Sequence, residues 1–524
     1  MTFARLRSLK AWLGTAPGVL ALFAWLTGVL LQSGAFGTVD TSRRYQVTRA
    51  LWRAELPVAP NDVGFGIVTA SGSVHPWYGI GQSLLMLPGD LFAGAIVRVL
   101  GIGPPLREKL EMAITAFVTF PLITALTAVV AYSVLRELGE FRSRHAVAGV
   151  AAWLFASTVL HYVHVAFENS LDLLACLTII LFAWRWSRSG SRRELAIAAA
   201  AAGVNLLARI PNLVDASLLL ATAVWCGLPP VEAQRRPWLA ARVRDIALVW
   251  TPILLLSLAI DRGYHVARFG WGEVASTYLR LYGEQARLLD PSLPPNFPFS
   301  GSFSDGFWGP LIGKNRSVFL YDPLAVVALL LMVFARSRRQ LPRAVGLLTV
   351  CCLATLMIRT TAFARLAFWD GSTSWSNRYT VTPVQLWTLF AVPLFLAHRE
   401  GLGRWPRAAF WCVLAASLCL QLSSVLVHPN LEQIQAEYEH REVNMIVDRF
   451  ANVRSELLGI DRERLSSGGR VLEMYRRIHL LPWDNAEDLP VRARALARGA
   501  WALGLVAWAL ALAAVRRRIV RDAD

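Results

Sequence analysis

The chain has 524 residues, of which 55% are hydrophobic and 17% charged, and its mean hydropathy is +0.43, values that exclude an ordinary water-soluble globular domain. The net charge of +17 comes almost wholly from arginine, the only lysines being Lys10, Lys109 and Lys314. Because the arginines lie between apolar stretches they are read as setting membrane topology, and no nucleic-acid partner is expected.

The first apolar run, Pro17 to Phe36, follows Arg5, Arg7 and Lys10 in the manner of a signal peptide. Gln32-Ser33-Gly34-Ala35-Phe36 is a poor cleavage site, however, and the run is long enough to span, so it is assigned as an uncleaved first helix. Further spans are predicted near 112–134, 147–165, 170–186, 195–209, 212–227, 246–262, 321–335, 344–360, 380–397, 407–427 and 497–515. The stretch 80–100 is assigned instead as a juxtamembrane or re-entrant helix, its middle broken by Pro88-Gly89-Asp90. With that choice the arginine-rich segments at 5–10, 136–144, 188–193, 235–244, 336–343, 399–407 and 516–521 all fall on one side, which the positive-inside rule makes cytoplasmic. Cys176, Cys226, Cys351, Cys352, Cys412 and Cys419 all lie in apolar runs and are read as small core residues, with neither zinc-finger nor redox spacing.

The fold class is therefore an all-α integral membrane protein of about twelve transmembrane helices, with both termini cytoplasmic. Its outer face carries loops 37–111, 263–320 and 361–379 and a helix-patterned extracytoplasmic segment, 428–496, with Pro482 and Pro490 near its end. Residues 1–427 form the main transmembrane module, and 497–524 the last helix and a basic cytoplasmic tail. Arginine-rich, short cytoplasmic loops point to a bacterial plasma (inner) membrane.

The residues suited to chemistry gather at the predicted outer helix ends. Asp40, in GTVDTSRRYQVTRALW, lies just past the first helix beside Arg43, Arg44, Arg49 and Arg53; among such cations a carboxylate stays ionised, as a general base must, although a helix cap explains the same residue. Glu168, in HYVHVAFENSLD, is an acid at membrane depth or a cap of the helix after it, and His161 and His164 there make only a weak metal pair. Arg209 at a proline-broken turn, Lys314 and Arg316 in GKNRSVFLYDP, and Arg378 in WDGSTSWSNRYTVTP suit a lipid phosphate or simple interfacial anchoring beside Trp369 and Trp375. His75-Pro76-Trp77-Tyr78-Gly79-Ile80-Gly81-Gln82 mixes rings, polar groups and glycines as a sugar site does, or as a turn into an interfacial helix does. No phosphate-binding loop of a nucleotide motor is present.

Together GTVDTSRRYQ, HPWYGIGQSLLMLPGDLF, AFENSLD and SWSNRYTVTP resemble the GT-C superfamily of integral-membrane glycosyltransferases, the group that includes protein O-mannosyltransferases and lipid A aminoarabinose transferases. The resemblance implies transfer of a sugar from a polyprenyl-phosphate donor to a hydroxyl on a glycan, lipid or protein, outside the cytoplasm and with inversion. It implies Asp40 as catalytic base, Glu168 as a second acid, Arg378 with Arg209 or Lys314 for the donor phosphate, and His75, Tyr78, Trp375 and Tyr379 at the substrate. No cofactor is implied, a divalent cation remaining open. Two departures count: there is no WWDYG-like string, which disfavours transfer to asparagine, and His75-Pro76-Trp77-Tyr78 stands where the aminoarabinose group has Lys-Pro-Pro. The rival classes are a twelve-helix secondary transporter and a non-catalytic binder of the lipid carrier.

Overall fold

The computed structural model describes residues 11–53, 66–69, 72–104, 106–371, 374–459, 478–484 and 491–521. The basic residues Arg5, Arg7 and Lys10, and Pro490, lie outside these. Among the described residues the chain is helical apart from one small antiparallel hairpin, β1 (Ile67–Val68) with β2 (Val74–His75). Among the described residues nine helices are long and apolar enough to cross a membrane, and Ala16–Leu31 and Pro323–Ser337 are shorter apolar helices, so the expected count of about twelve is not confirmed.

Helix α1 (Ala16–Leu31) begins with Thr15 accepting from the Gly18 amide and carries Pro17 in its first turn, where no amide bond is lost. Helix α2 (Val39–Arg53) is polar and packs against α3 (Gly81–Val99), while α1 packs against α4 (Leu106–Glu137). Gly28 permits that last approach, since a Cβ there would stand 2.8 Å from Pro121 Cα.

Two sequence expectations change here. Helix α3 runs unbroken through Pro88 and is itself among the candidate spans. The amide bond missing at Pro88 is outweighed by side-chain anchoring on both sides of the next turn. Gly89 seats the helix on α4, where a Cβ would meet Thr119 Oγ1 at 2.7 Å, and the buried Asp90 carboxylate accepts from Tyr45 Oη and Trp52 Nε1, each at 2.7 Å. Conversely, the span expected at 147–165 divides into α5 (Ser143–Ala156) and α6 (Val159–His164). The break at Ser157-Thr158 is held by Asp322, whose carboxylate accepts from the Thr158 amide at 2.6 Å and hydroxyl at 2.7 Å.

Helices α7 (Asn169–Ser189), α8 (Arg192–Ala208) and α9 (Leu213–Gly227) follow, with the Ile210-Pro211-Asn212 turn separating the last two. Next come α10 (Glu232–Asp245), which passes through a widened turn into α11 (Thr251–Phe269), then α12 (Tyr278–Leu289), α13 (Phe303–Ile312), the single turn α14 (Val318–Tyr321), α15 (Pro323–Ser337) and α16 (Arg343–Phe363). Helices α17 (Val381–Thr388) and α18 (Ala391–His398) divide the expected 380–397 span, and α19 (Arg404–Leu426) precedes α20 (Leu431–Tyr438) and α21 (Met445–Leu458). The last helix, α22 (Val491–Arg521), packs on α1.

The apolar core runs through α1, α4, α5, α7 to α9 and α15 to α19. The cysteine expectation holds for the buried Cys176, Cys351 and Cys352; Cys412 and Cys419 are exposed, because α19 turns one apolar face away from the bundle, with Trp411 and Leu422 on it.

Candidate functional site: an interlocked acid and arginine cluster

Four chain segments deliver the site. Helix α2 is fastened to the turn before α7 by Thr41, whose hydroxyl donates to the Ala166 carbonyl, an oxygen that also accepts from Gln82 Nε2 at 2.9 Å. Thr41 follows Asp40 and Ala166 precedes Glu168 by two, so this fastening places the two acids side by side. The third segment is the end of α8, where Arg209 leaves the helix in an extended conformation (φ −154°, ψ 123°) ahead of Pro211.

The fourth segment, 374–380, is stapled internally. Asn377 Nδ2 donates to the Trp369 carbonyl at 2.8 Å, and its Oδ1 accepts from the Tyr379 amide at 3.1 Å. Ser376 sits at φ 63°, an uncommon conformation for a residue with a side chain. Asn169, next to Glu168, completes the fastening by donating to the Arg378 carbonyl at 2.7 Å.

The result is one network. Asp40 Oδ2 accepts from Arg378 Nη1 at 2.7 Å, and its Oδ1 accepts from the Tyr78 hydroxyl at 2.7 Å. Arg44 lies one helical turn from Asp40, its guanidinium 4.2 Å over the Tyr78 ring, and pairs with Glu168 at 2.9 Å. Glu168 also pairs with Arg209. The Tyr379 ring carries Arg209 and Arg378 at 5.3 and 5.4 Å from its centroid and stacks on Phe363. Neither acid caps a helix with its side chain: Asp40 lies inside the first turn of α2, where Thr38 serves the Thr41 amide, and Glu168, at the N-cap position of α7, makes no side-chain capping bond.

Burial alone pushes the Asp40 carboxyl up, but Arg378, Arg44 and the Tyr78 hydroxyl overcome it and hold the pKa at about 2. Glu168 is likewise raised by burial and brought below the ordinary value by Arg209, Arg44 and Arg378. Burial and the neighbouring Asp40 push the Tyr78 phenol well above its usual range, so it remains a donor. Both acids are thus anionic at neutral pH, with three guanidiniums, from Arg44, Arg209 and Arg378, set against two carboxylates. The surplus is one positive charge. Asp40, Arg209 and Arg378 keep 17%, 23% and 12% of their side-chain surface, whereas Glu168 and Arg44 keep 2% each.

Of the residues singled out from sequence, Asp40, Glu168, Arg209, Arg378, Tyr78 and Tyr379 come together. Lys314 does not join them; it pairs with exposed Glu442 at 2.7 Å. His75 lies in β2 with its ring edge-on to Phe269, outside the ion network. Trp375 is 1% exposed and packed with Tyr321, Leu420 and Met445, its ring stacked on His161. His164 hydrogen-bonds His479 at 2.7 Å, and among the described residues no three His, Cys, Asp or Glu side chains gather as a metal-ion ligand set.

Arg44, read from the sequence only as one of four cations beside Asp40, is a direct member of the site. Arg359 of α16 escaped that reading; an arginine in the interior of an apolar helix is the signal that marks it. It pairs with Asp215 and, at 3.3 Å, with Asp172, and donates to the Tyr379 carbonyl at 2.9 Å, so a second buried network underlies the first. Glycines make the remaining join. A Cβ at Gly79 would stand 2.4 Å from the Leu207 carbonyl oxygen, and one at Gly81 2.5 Å from the Ala208 amide nitrogen. Their absence lets the Tyr78 segment lie directly on the chain that ends in Arg209.

No family model matches the chain, and no curated protein matches it. Among solved structures it is similar to the archaeal oligosaccharyltransferase AglB from Archaeoglobus fulgidus, determined in complex with an inhibitory peptide and a dolichol-phosphate. The similarity has a TM-score of 0.44 and 11% identity over 83% of this chain and 59% of that one, so this chain spans less than two thirds of that neighbour's length.

Proposed function

We propose that the protein transfers a glycosyl group from a polyprenyl-phosphate-linked sugar to a hydroxyl of a glycan, lipid or protein on the extracytoplasmic face of a bacterial plasma membrane. The observation that carries this reading is the cluster itself: an ionised carboxylate, Asp40, touching a cation, Arg378, within a site that holds one more guanidinium than it has acids. An anionic phosphate satisfies that surplus, and guanidinium binds two of its oxygens at once. The membrane location supplies the hydrocarbon solvent for a prenyl chain.

In this reading the acceptor oxygen attacks the anomeric carbon as the bond from that carbon to the phosphate oxygen breaks. The electron pair leaves with the phosphate, which Arg378 and Arg209 stabilise, and the hydroxyl proton passes to Asp40. The anomeric centre inverts. Arg378 must turn from Asp40 toward the phosphate, which leaves the carboxylate more basic when the proton arrives. Glu168, buried between Arg44 and Arg209, acts by positioning those cations. Tyr78 orients Asp40, and Tyr379 holds the two arginines apart. The lack of a WWDYG-like string keeps a hydroxyl as the proposed acceptor.

The test is transfer by purified protein in nanodiscs, offering a panel of radiolabelled polyprenyl-phosphate sugars to wild type and Asp40→Asn. Transfer or slow donor hydrolysis that vanishes in a still-folded Asp40→Asn supports the proposal. Donor binding with no turnover in wild type overturns it in favour of a lipid-carrier binder. Neither binding nor turnover overturns it in favour of transport.

A further inference from the structure

We infer that Trp77, Tyr282 and Phe368 form a stacking platform for a pyranose ring beside Asp40 and Arg378. The rings of Trp77 and Tyr282 lie 4.4 Å apart at an interplanar angle of 53°, and Tyr282 continues to Phe368 at 6.1 Å and Phe297 at 5.8 Å. All four are only half-buried, unlike Trp375 and the core tryptophans Trp186 and Trp387.

Chain connectivity ties this aromatic surface to the ion network. Trp77 precedes Tyr78, the residue whose hydroxyl donates to Asp40, and the two rings are 5.6 Å apart. Phe368 leads through Gly371 to Arg378: a Cβ at Gly371, where φ is +76°, would stand 2.9 Å from Arg378 Cγ. The platform therefore joins the segment that orients the acid to the segment that carries the cation.

Its backing is rigid. The Phe297-Pro298 segment lies against Gly283, where a Cβ would meet the Phe297 carbonyl oxygen at 2.3 Å. The Pro298 carbonyl accepts from the Ala367 amide at 2.7 Å, and the Arg365 carbonyl accepts from the Gly301 amide at 2.9 Å. Arg268 donates to the carbonyls of Pro76 and Tyr78, holding Trp77 from behind.

A half-buried aromatic surface supported in this way, continuous with the segments that carry a carboxylate and a guanidinium, matches the two chemical sides of a pyranose: a C–H face that stacks on rings and hydroxyls that bond to charged groups. Whether the ring belongs to the donor or to the acceptor depends on the transfer reading above; the binding of a pyranose does not.

The binding test uses nanodiscs prepared without glycosidic detergent and saturation-transfer NMR with methyl hexopyranosides, cyclohexanol serving as the non-sugar control. Saturation is expected at the ring C–H protons with wild type. It should fall about tenfold in Trp77→Ala/Tyr282→Ala, the scale of one lost ring contact with its area, and be unchanged in Trp405→Ala. Equal saturation in wild type and the double variant overturns the platform, as does no saturation in wild type.

In the transfer assay, an acceptor sugar on the platform predicts that the double variant raises KM about tenfold for a glycoside acceptor and leaves a simple alcohol acceptor unaffected. A donor sugar there predicts losses with both acceptors. Wild-type kinetics with both overturn the platform while leaving the transfer reading intact. Pyranoside binding lost only in the double variant, with no transfer from any donor, supports the platform and rejects the transfer reading.

Discussion

Arg378 donates to Asp40 at 2.7 Å across 338 positions of sequence, so the proposed base and the proposed phosphate ligand form one ion pair. Removing the cation should therefore act twice. Arg378→Ala is expected to lower transfer at least about 100-fold through lost charge stabilisation at the leaving group. It should also let the Asp40 pKa climb from about 2 toward its ordinary 3.8, because a neighbouring cation favours the charged form and is now gone. The acid limb of kcat/KM then moves to higher pH. Residual activity with an unmoved acid limb would show that Asp40 is not the titrating group.

The same shift links Asp40 to acid stability. Its folded-state pKa, about 2, lies below the ordinary value of 3.8, so the stability it contributes is complete above pH about 4 and is lost as pH falls toward 2. Thermal melts in nanodiscs should show wild type losing more Tm than Asp40→Asn across that interval. The increment is on the order of 2 kcal/mol.

Glu168 is 2% exposed between Arg44 and Arg209, and Arg44 is equally buried. Glu168→Gln leaves a buried guanidinium without its counter-charge, at a cost of roughly 3–5 kcal/mol. Melting curves should show a drop larger than that of Asp40→Asn, and Glu168→Gln/Arg44→Met should recover part of it.

Gly79 and Gly81 set the position of Arg209 through backbone contact, so side chains there should disturb the site without touching its charges. Gly79→Val is expected to cost about 1–3 kcal/mol of stability and to raise KM for the lipid donor, since Leu207 and with it Arg209 must shift. Gly103→Ala, where nothing lies within 4 Å of the added Cβ, is the neutral comparison. Equal KM values for the two variants would detach the HPWYGIGQ segment from donor binding.

Composition and the spacing of apolar runs were enough to establish an all-helical membrane protein, because burial in lipid depends on the local run of side chains and backbone groups must be satisfied within each helix. Local spacing likewise sets Arg44 one helical turn from Asp40. The unbroken course of α3 through Pro88 and the break at Thr158 were hidden from it. The first depends on Tyr45 and Trp52 reaching Asp90, the second on Asp322 reaching Thr158 from 164 positions away. Only the tertiary structure separated Arg209 and Arg378 from Lys314, which look alike as basic residues near helix ends. A buried charge must find its counter-charge wherever packing brings one, so partners are set by which helices meet, whereas an exposed lysine with a solvated partner leaves both groups outside the site.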